Sequence, residues 1–149
     1  MSAHSAILGL GAYRPSRVVP NSEIVDAIDS SDEWIQQRSG IIERRWATPE
    51  ETVQLMSVAA ARDAIEAAGL QPGQIDVVIV ATVSHLMQTP AIAPAIVHEL
   101  GAGSAAAFDI SAACAGYCHG LALASDLVKG GTANHVLVIN DGQIVEEGN

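Results

Sequence analysis

The chain is poor in aromatics: two tryptophans, two tyrosines and one phenylalanine in 149 residues. It is also poor in positive charge, with seven Lys and Arg against seventeen Asp and Glu. The resulting formal charge of −10 argues against nucleic acid as a partner, because phosphate binding needs clustered cations. No apolar run approaches the roughly 20 residues of a membrane helix, so no membrane association is expected. The start lacks a basic segment followed by an apolar core, so no signal peptide is read and a cytoplasmic location is expected. There are only two cysteines, Cys114 and Cys118. Two thiols do not make a zinc site, and a structural disulfide does not suit that compartment. No metal or cofactor is expected. Core packing or a reactive thiol remains.

What is present points to an α/β domain with a core. Nearly half the residues are apolar. Residues 6–13 (AILGLGAY) read as a strand broken by glycines. Asn21 or Ser22 caps a short helix through Ile28. Ser31, followed by Asp32 and Glu33, reads as a second capped start, with Gly40 as its stop. Residues 52–68 show the widest apolar helical face. Residues 75–83 (IDVVIVATV) form a β-branched run suited to a strand buried on both faces. Helices are expected over 90–100 and 114–129, and strands over 105–110 and 135–139. The alternation predicts βαβ units and a mainly parallel sheet with helices on both faces. Arg38, Arg44 and Arg45 form a local basic cluster, read as either solvated surface charge or an anion site.

The segment FDISAACAGYCHG carries most of the chemistry. A strand ends near Ile110, small residues turn, and a helix starts close to Cys114. That places a side chain at the carboxyl end of a parallel sheet, where α/β proteins build their sites. A thiol at a helix N-terminus faces unpaired N–H groups and the positive end of the dipole, which favour the nucleophilic thiolate form. The alternative is a small core residue among alanines. His119 lies roughly 140° around a helix from Cys114 and points away. His85, in the loop after the buried strand, could approach the same edge or simply be exposed. The GLGAYRP glycines do not fit G-x-G-x-x-G, and no phosphate-binding loop is present.

In order along the chain, AILGLGAYRPSRVVPNSEI, SSDEWIQQRSGIIERR, DVVIVATVS, QTP, AAAFDISAACAGYCHGLALA and HVLVI resemble β-ketoacyl-acyl carrier protein synthase III. The DEWI-x-x-R-x-GI and FD-x-x-AACAG blocks are specific in combination. The resemblance spans residues 6–139 and is closest to the mycobacterial and actinobacterial long-chain type. It implies the N-terminal half of a thiolase-like fold over residues 1–139, followed by an atypical tail over 140–149. It implies condensation of an acyl-CoA primer with malonyl-acyl carrier protein, usually by a homodimer, to begin fatty acid elongation.

By the same resemblance Cys114 is the acyl-accepting nucleophile, with its own N–H in the oxyanion hole. Trp34 stacks on the adenine of CoA, Arg38 meets the nucleotide end, and Ser30 and Ser39 border that site. Gln88 and Thr89 belong to the acyl pocket and dimer contact. Thr89 stands where short-primer enzymes often carry a bulky aromatic, so a primer longer than acetyl is expected. The family's catalytic His and Asn come from its C-terminal half, and no residue here is assigned those roles. Full turnover by this chain alone is therefore not expected. A polyketide-priming or acyl-transferring relative, and a non-catalytic interaction fragment, are the alternative readings. After Ile139 the chain departs from the family. Asp141-Gly142 is a hairpin-type signal, and the ending faintly resembles a segment of transporter ATPases without any nucleotide-binding motif.

Overall fold

A computed structural model describes residues 4–141 and resolves two compact units: residues 14–52, and the remainder of the chain. The expected hairpin signal at Asp141-Gly142 and most of the tail lie outside the described residues.

In the larger unit a three-stranded parallel sheet has the order β4-β3-β5, with β3 (Val77–Ala81) central, β4 (Ala106–Ile110) on one side and β5 (Val136–Asn140) on the other. All five β3 residues are buried, as the β-branched run predicts. Alternate side chains serve opposite layers. Val78 and Val80 pack with Leu137 and Ile139 against helices α2 (Val53–Ala67) and α3 (Ile92–Leu100), including Val58, Ile65, Ile96 and Val97. Val77 and Ile79 face the other way with Ile110, Val136 and Leu127 of α4 (Gly116–Lys129). The parallel sheet with helices on both faces matches the expected class.

α4 lies close to the sheet because two of its residues lack side chains. A Cβ on Gly116 would sit 3.0 Å from the Ala81 Cβ, and one on Gly120 would sit 2.9 Å from Val138 Cγ1. Both separations are tighter than ordinary carbon contacts.

The strand expected over residues 6–13 is not formed. Two features explain this. β5 pairs only with β3 among the described residues, and a groove of about 870 Å³ separates it from residues 4–11. The segment is instead pressed onto α2. A Cβ on Gly9 would meet the Ala64 carbonyl oxygen at 2.3 Å, and one on Gly11 the Ala60 oxygen at 2.1 Å. The groove has an apolar lining from α2, α4 and β5, and Cys114 is not part of it.

The smaller unit holds an antiparallel pair that the sequence did not announce: β1 (Arg17–Pro20) with β2 (Glu43–Trp46). Between them runs α1 (Asp32–Ser39), capped by the Ser31 hydroxyl on the Trp34 N–H and stopped by left-handed Gly40, both as expected. The helix expected to run from Asn21 to Ile28 is only a 3-10 turn, Asn21–Glu23, followed by irregular turns. Asn21 is 1% exposed and serves as a hub instead of a cap. Its side-chain amide donates to Asp32 Oδ1 at 2.6 Å and to the Ile41 carbonyl at 2.8 Å, while its oxygen accepts from Arg44. Buried amides need such partners. No helix among the described residues is long and apolar enough to cross a membrane.

Candidate active site

β3, β4 and β5 all end at the same edge, and short polar contacts lace those ends together. The Thr82 N–H donates to the Ile110 carbonyl at 3.1 Å, and the Asp141 N–H to the Ala81 carbonyl at 3.1 Å. The Thr82 hydroxyl donates to Asp141 Oδ2 at 3.0 Å. The chain leaves β3 toward β4 and then returns past β3 to reach β5, so the strand order reverses here. Crevices at such reversals are where open α/β sheets hold ligands. Gly116, the first residue of α4, sits over this point: a Cβ on it would lie against Ala81 at the end of β3 and 4.0 Å from Asn140 Oδ1 at the end of β5.

Cys114 lies just before Gly116, in a 3-10 turn, Ala113–Ala115, that joins the β4 exit to α4. It is therefore not within the regular helix that carries Cys118. Both thiols are free and exposed. No side chain caps α4, since Ala115 precedes it. The 3-10 turn satisfies the first donors instead: the Gly116 N–H bonds to the Ala113 carbonyl and the Ala115 N–H to the Ala112 carbonyl at 3.0 Å, so the row of unpaired N–H groups expected at this helix start is already partly used.

The residue before the cysteine has φ +44°. Alanine in the left-handed region costs roughly 1–2 kcal/mol. The turn thus holds Cys114 on a strained backbone, a feature often met where a side chain must be presented to a substrate. Composition gave no sign of this strain, since alanine is not a residue that selects positive φ.

The loop between β3 and α3 lies at the same edge and carries Gln88 and Thr89, both exposed. Its tip is apolar, with Leu86 97% exposed and Met87 beside it. The Thr89–Pro90 peptide is cis. His85 is turned inward to its own loop, with Nε2 3.3 Å from the Pro90 carbonyl. His119 is exposed on α4. Among the described residues no group of three or more His, Cys, Asp and Glu side chains could hold a metal ion.

The residues expected at a nucleotide site all fall in the smaller unit. Trp34 is 54% exposed on α1, and the Arg38 guanidinium carbon stands 5.7 Å from its ring centroid. One helical turn brings them together. An open indole face beside a fixed cation suits a base and a phosphate. Ser30 Oγ is buried without a hydrogen-bond partner. Ser39 is otherwise employed: its hydroxyl donates to the Ile35 carbonyl at 2.7 Å and accepts from the Ile41 N–H at 3.2 Å. The basic cluster also divides. Arg44 is tied to Asn21, and Arg45 reaches the Ser16 carbonyl at 3.4 Å, which leaves Arg38 with Trp34. At the start of α1, hydrogen bonds from Gln36 and then Asn21 hold the Asp32 carboxyl below its ordinary range.

The family model for 3-oxoacyl-[acyl-carrier-protein] synthase III matches residues 108–146, the stretch that includes Cys114. A β-ketoacyl-[acyl-carrier-protein] synthase III of Streptomyces coelicolor is 57% identical over 136 residues, covering 91% of this chain and 40% of that protein. A mycobacterial β-ketoacyl-[acyl-carrier-protein] synthase III of Mycobacterium ulcerans is 53% identical over 133 residues, covering 89% and 40%. Among solved structures, the priming β-ketosynthase of the R1128 polyketide biosynthetic pathway superposes with a TM-score of 0.86 at 52% identity, covering 90% of this chain and 40% of that one. The chain thus spans about two fifths of the length of the relatives it matches. The resemblance drawn from the two motif blocks is borne out, and so is the thiolase-type fold.

Proposed function

We propose that this chain, whose sequence and fold match the N-terminal part of β-ketoacyl-acyl carrier protein synthase III, forms the acyl-accepting part of such an acyltransferase. One observation carries the reading: an exposed thiol on a strained turn that leads from the carboxyl edge of the sheet into α4.

The chemistry follows from that geometry. The Cys114 thiolate attacks the thioester carbonyl of an acyl-CoA. A sulfur–carbon bond forms, and the carbonyl oxygen takes the negative charge. The backbone N–H of Cys114 donates to this oxyanion. The carbon–sulfur bond to CoA then breaks, CoA leaves as a thiolate and takes up a proton, and the acyl group remains on Cys114. Trp34 and Arg38 hold the adenine and phosphates of CoA, with Ser30 bordering them. Ser39 acts there only through the end of α1, because its hydroxyl is engaged with backbone. Gln88 and Thr89 line the acyl pocket. In the whole enzyme the acyl group would pass to the carbanion made by decarboxylating malonyl-acyl carrier protein, in a homodimer, with groups from the remaining polypeptide assisting.

The priming β-ketosynthase match, at an identity close to those of the synthase III relatives, favours a second reading in which the same acyl-enzyme primes a polyketide. The two share the Cys114 thioester and differ in the acceptor. Intact-mass measurement after incubation with acyl-CoA tests the shared step. A gain of one acyl group supports it, and no gain on a folded chain counts against it. Extension assays with malonyl groups on fatty acid and polyketide carrier proteins separate the two.

A further inference from the structure

The loop between β3 and α3 is fastened at both ends to consecutive residues of β4. At its start, the Thr82 N–H donates to the Ile110 carbonyl at 3.1 Å. At its end, the Asp109 carboxylate accepts from the Ile92 and Ala93 N–H groups, each at 2.9 Å. These two donors open α3, and its own N-cap residue, Ala91, offers no side-chain acceptor. A carboxylate at that end satisfies the free donors and suits the helix dipole. Asp109 therefore supplies from a neighbouring strand what Ser or Asp at position 91 would supply locally.

The difference has a consequence. A local cap would stabilise α3 alone. Asp109 instead ties the end of the loop to the strand that runs directly into the Cys114 turn. Between the two fastenings lie Leu86, Met87, Gln88 and Thr89, with no other tie of the loop to β4 among the described contacts.

We propose that Asp109 is a positioning residue that sets the β3–α3 loop against the nucleophile turn and thereby governs which acyl chain lengths Cys114 accepts. This rests on the acyl-accepting role given above. Asp109 does not itself meet the acyl group; it acts through the loop.

The test compares the parent chain, Asp109→Asn, and the double variant Ala91→Ser with Asp109→Asn. The asparagine keeps the shape but offers one acceptor oxygen in place of two. Serine at 91 restores a local cap without the tie to β4. Three readouts are taken: the unfolding midpoint, the rate ratio of dodecanoyl to acetyl loading on Cys114, and amide hydrogen exchange over residues 83–91. In the double variant the midpoint returns to that of the parent. The loading ratio stays shifted by about tenfold or more, the scale on which pocket fit discriminates chain length. Exchange in the loop is faster while the middle of α3 stays protected. A double variant with the parent's midpoint, loading ratio and loop exchange would overturn the proposal, because Asp109 would then be a cap and nothing more. Absence of acyl loading in every chain, the parent included, strikes the acyl-accepting role. Loop exchange still decides the tie in that case, and unchanged exchange in the double variant refutes it.

Discussion

The guanidinium carbon of Arg38 stands 5.7 Å from the centroid of the Trp34 ring, one turn along α1. Neither residue is buried, and the pair forms an open platform. Stacking of this kind between a cation and an indole contributes about 0.5–1 kcal/mol at exposed sites. If the platform receives the nucleotide of CoA, Trp34→Ala and Arg38→Ala each weaken CoA binding by about tenfold, close to 1.4 kcal/mol. Arg38→Lys rescues only in part, since a point charge lacks the planar fork. Calorimetric titration with CoA and with pantetheine checks this. Both variants should lose affinity for CoA and leave that for pantetheine unchanged.

Ala113 holds a positive φ immediately before Cys114. Glycine at that position removes the steric cost, partly offset by greater freedom of the unfolded chain. Ala113→Gly should leave stability equal or raise it by up to about 1 kcal/mol. Ala113→Val should lower it by about 1–3 kcal/mol. Urea denaturation gives both values. The rate of iodoacetamide alkylation at Cys114 should fall in the valine variant, because the turn that presents the thiol is disturbed.

Asp76, just before β3, accepts from the Asn134 N–H at 2.6 Å and the His135 N–H at 3.1 Å. These bonds, Asn134 first, hold its carboxyl below the ordinary value of 3.8. A depressed folded-state pKa contributes stability above the unfolded value and loses it as pH falls through the folded one. The parent chain should therefore lose stability in acid below about pH 4. Asp76→Asn should be less stable than the parent at neutral pH, with the gap closing in acid. Denaturation midpoints from pH 7 to pH 3 decide the matter, and a gap that widens in acid would contradict it.

Thr89 puts a small side chain in the loop proposed to line the acyl pocket. Dodecanoyl-CoA should load Cys114 faster than acetyl-CoA does, and Thr89→Phe should reverse that order by roughly tenfold. Competition between the two thioesters, read by intact mass, gives the ratio directly. A clear preference of the parent for acetyl-CoA would remove the long-chain reading.

The parallel sheet was legible because the β-branched run over 75–83 has no other stable home than a buried strand. The caps of α1 were legible because Ser31 and Gly40 act through their own local chemistry. Cys114 stood out through its place between a strand and a helix and through the FD-x-x-AACAG block around it. The rest depends on contacts distant in sequence. Residues 6–13 have strand-like composition, but a strand needs a neighbour, and Gly9 and Gly11 press this segment onto α2 instead. Asn21 looks like a helix cap until Asp32, Ile41 and Arg44 converge on it. Ser39 is expected at the border of the nucleotide site, but its hydroxyl is taken up by the backbone at the end of α1. The positive φ at Ala113 and the tie from Asp109 to α3 leave no mark in composition at all. Among the site residues, the pairing of Trp34 with Arg38 was accessible from their spacing of four.

The proposed function requires that Cys114, and not its neighbour Cys118, takes an acyl group from acyl-CoA. The direct measurement is peptide mapping by tandem mass spectrometry after incubation with dodecanoyl-CoA, on the parent, Cys114→Ala and Cys118→Ala. One dodecanoyl group is expected on the peptide containing Cys114, retained in Cys118→Ala and lost in Cys114→Ala. A label on Cys118, equal labelling of both thiols, or a folded chain that takes no acyl group would contradict it.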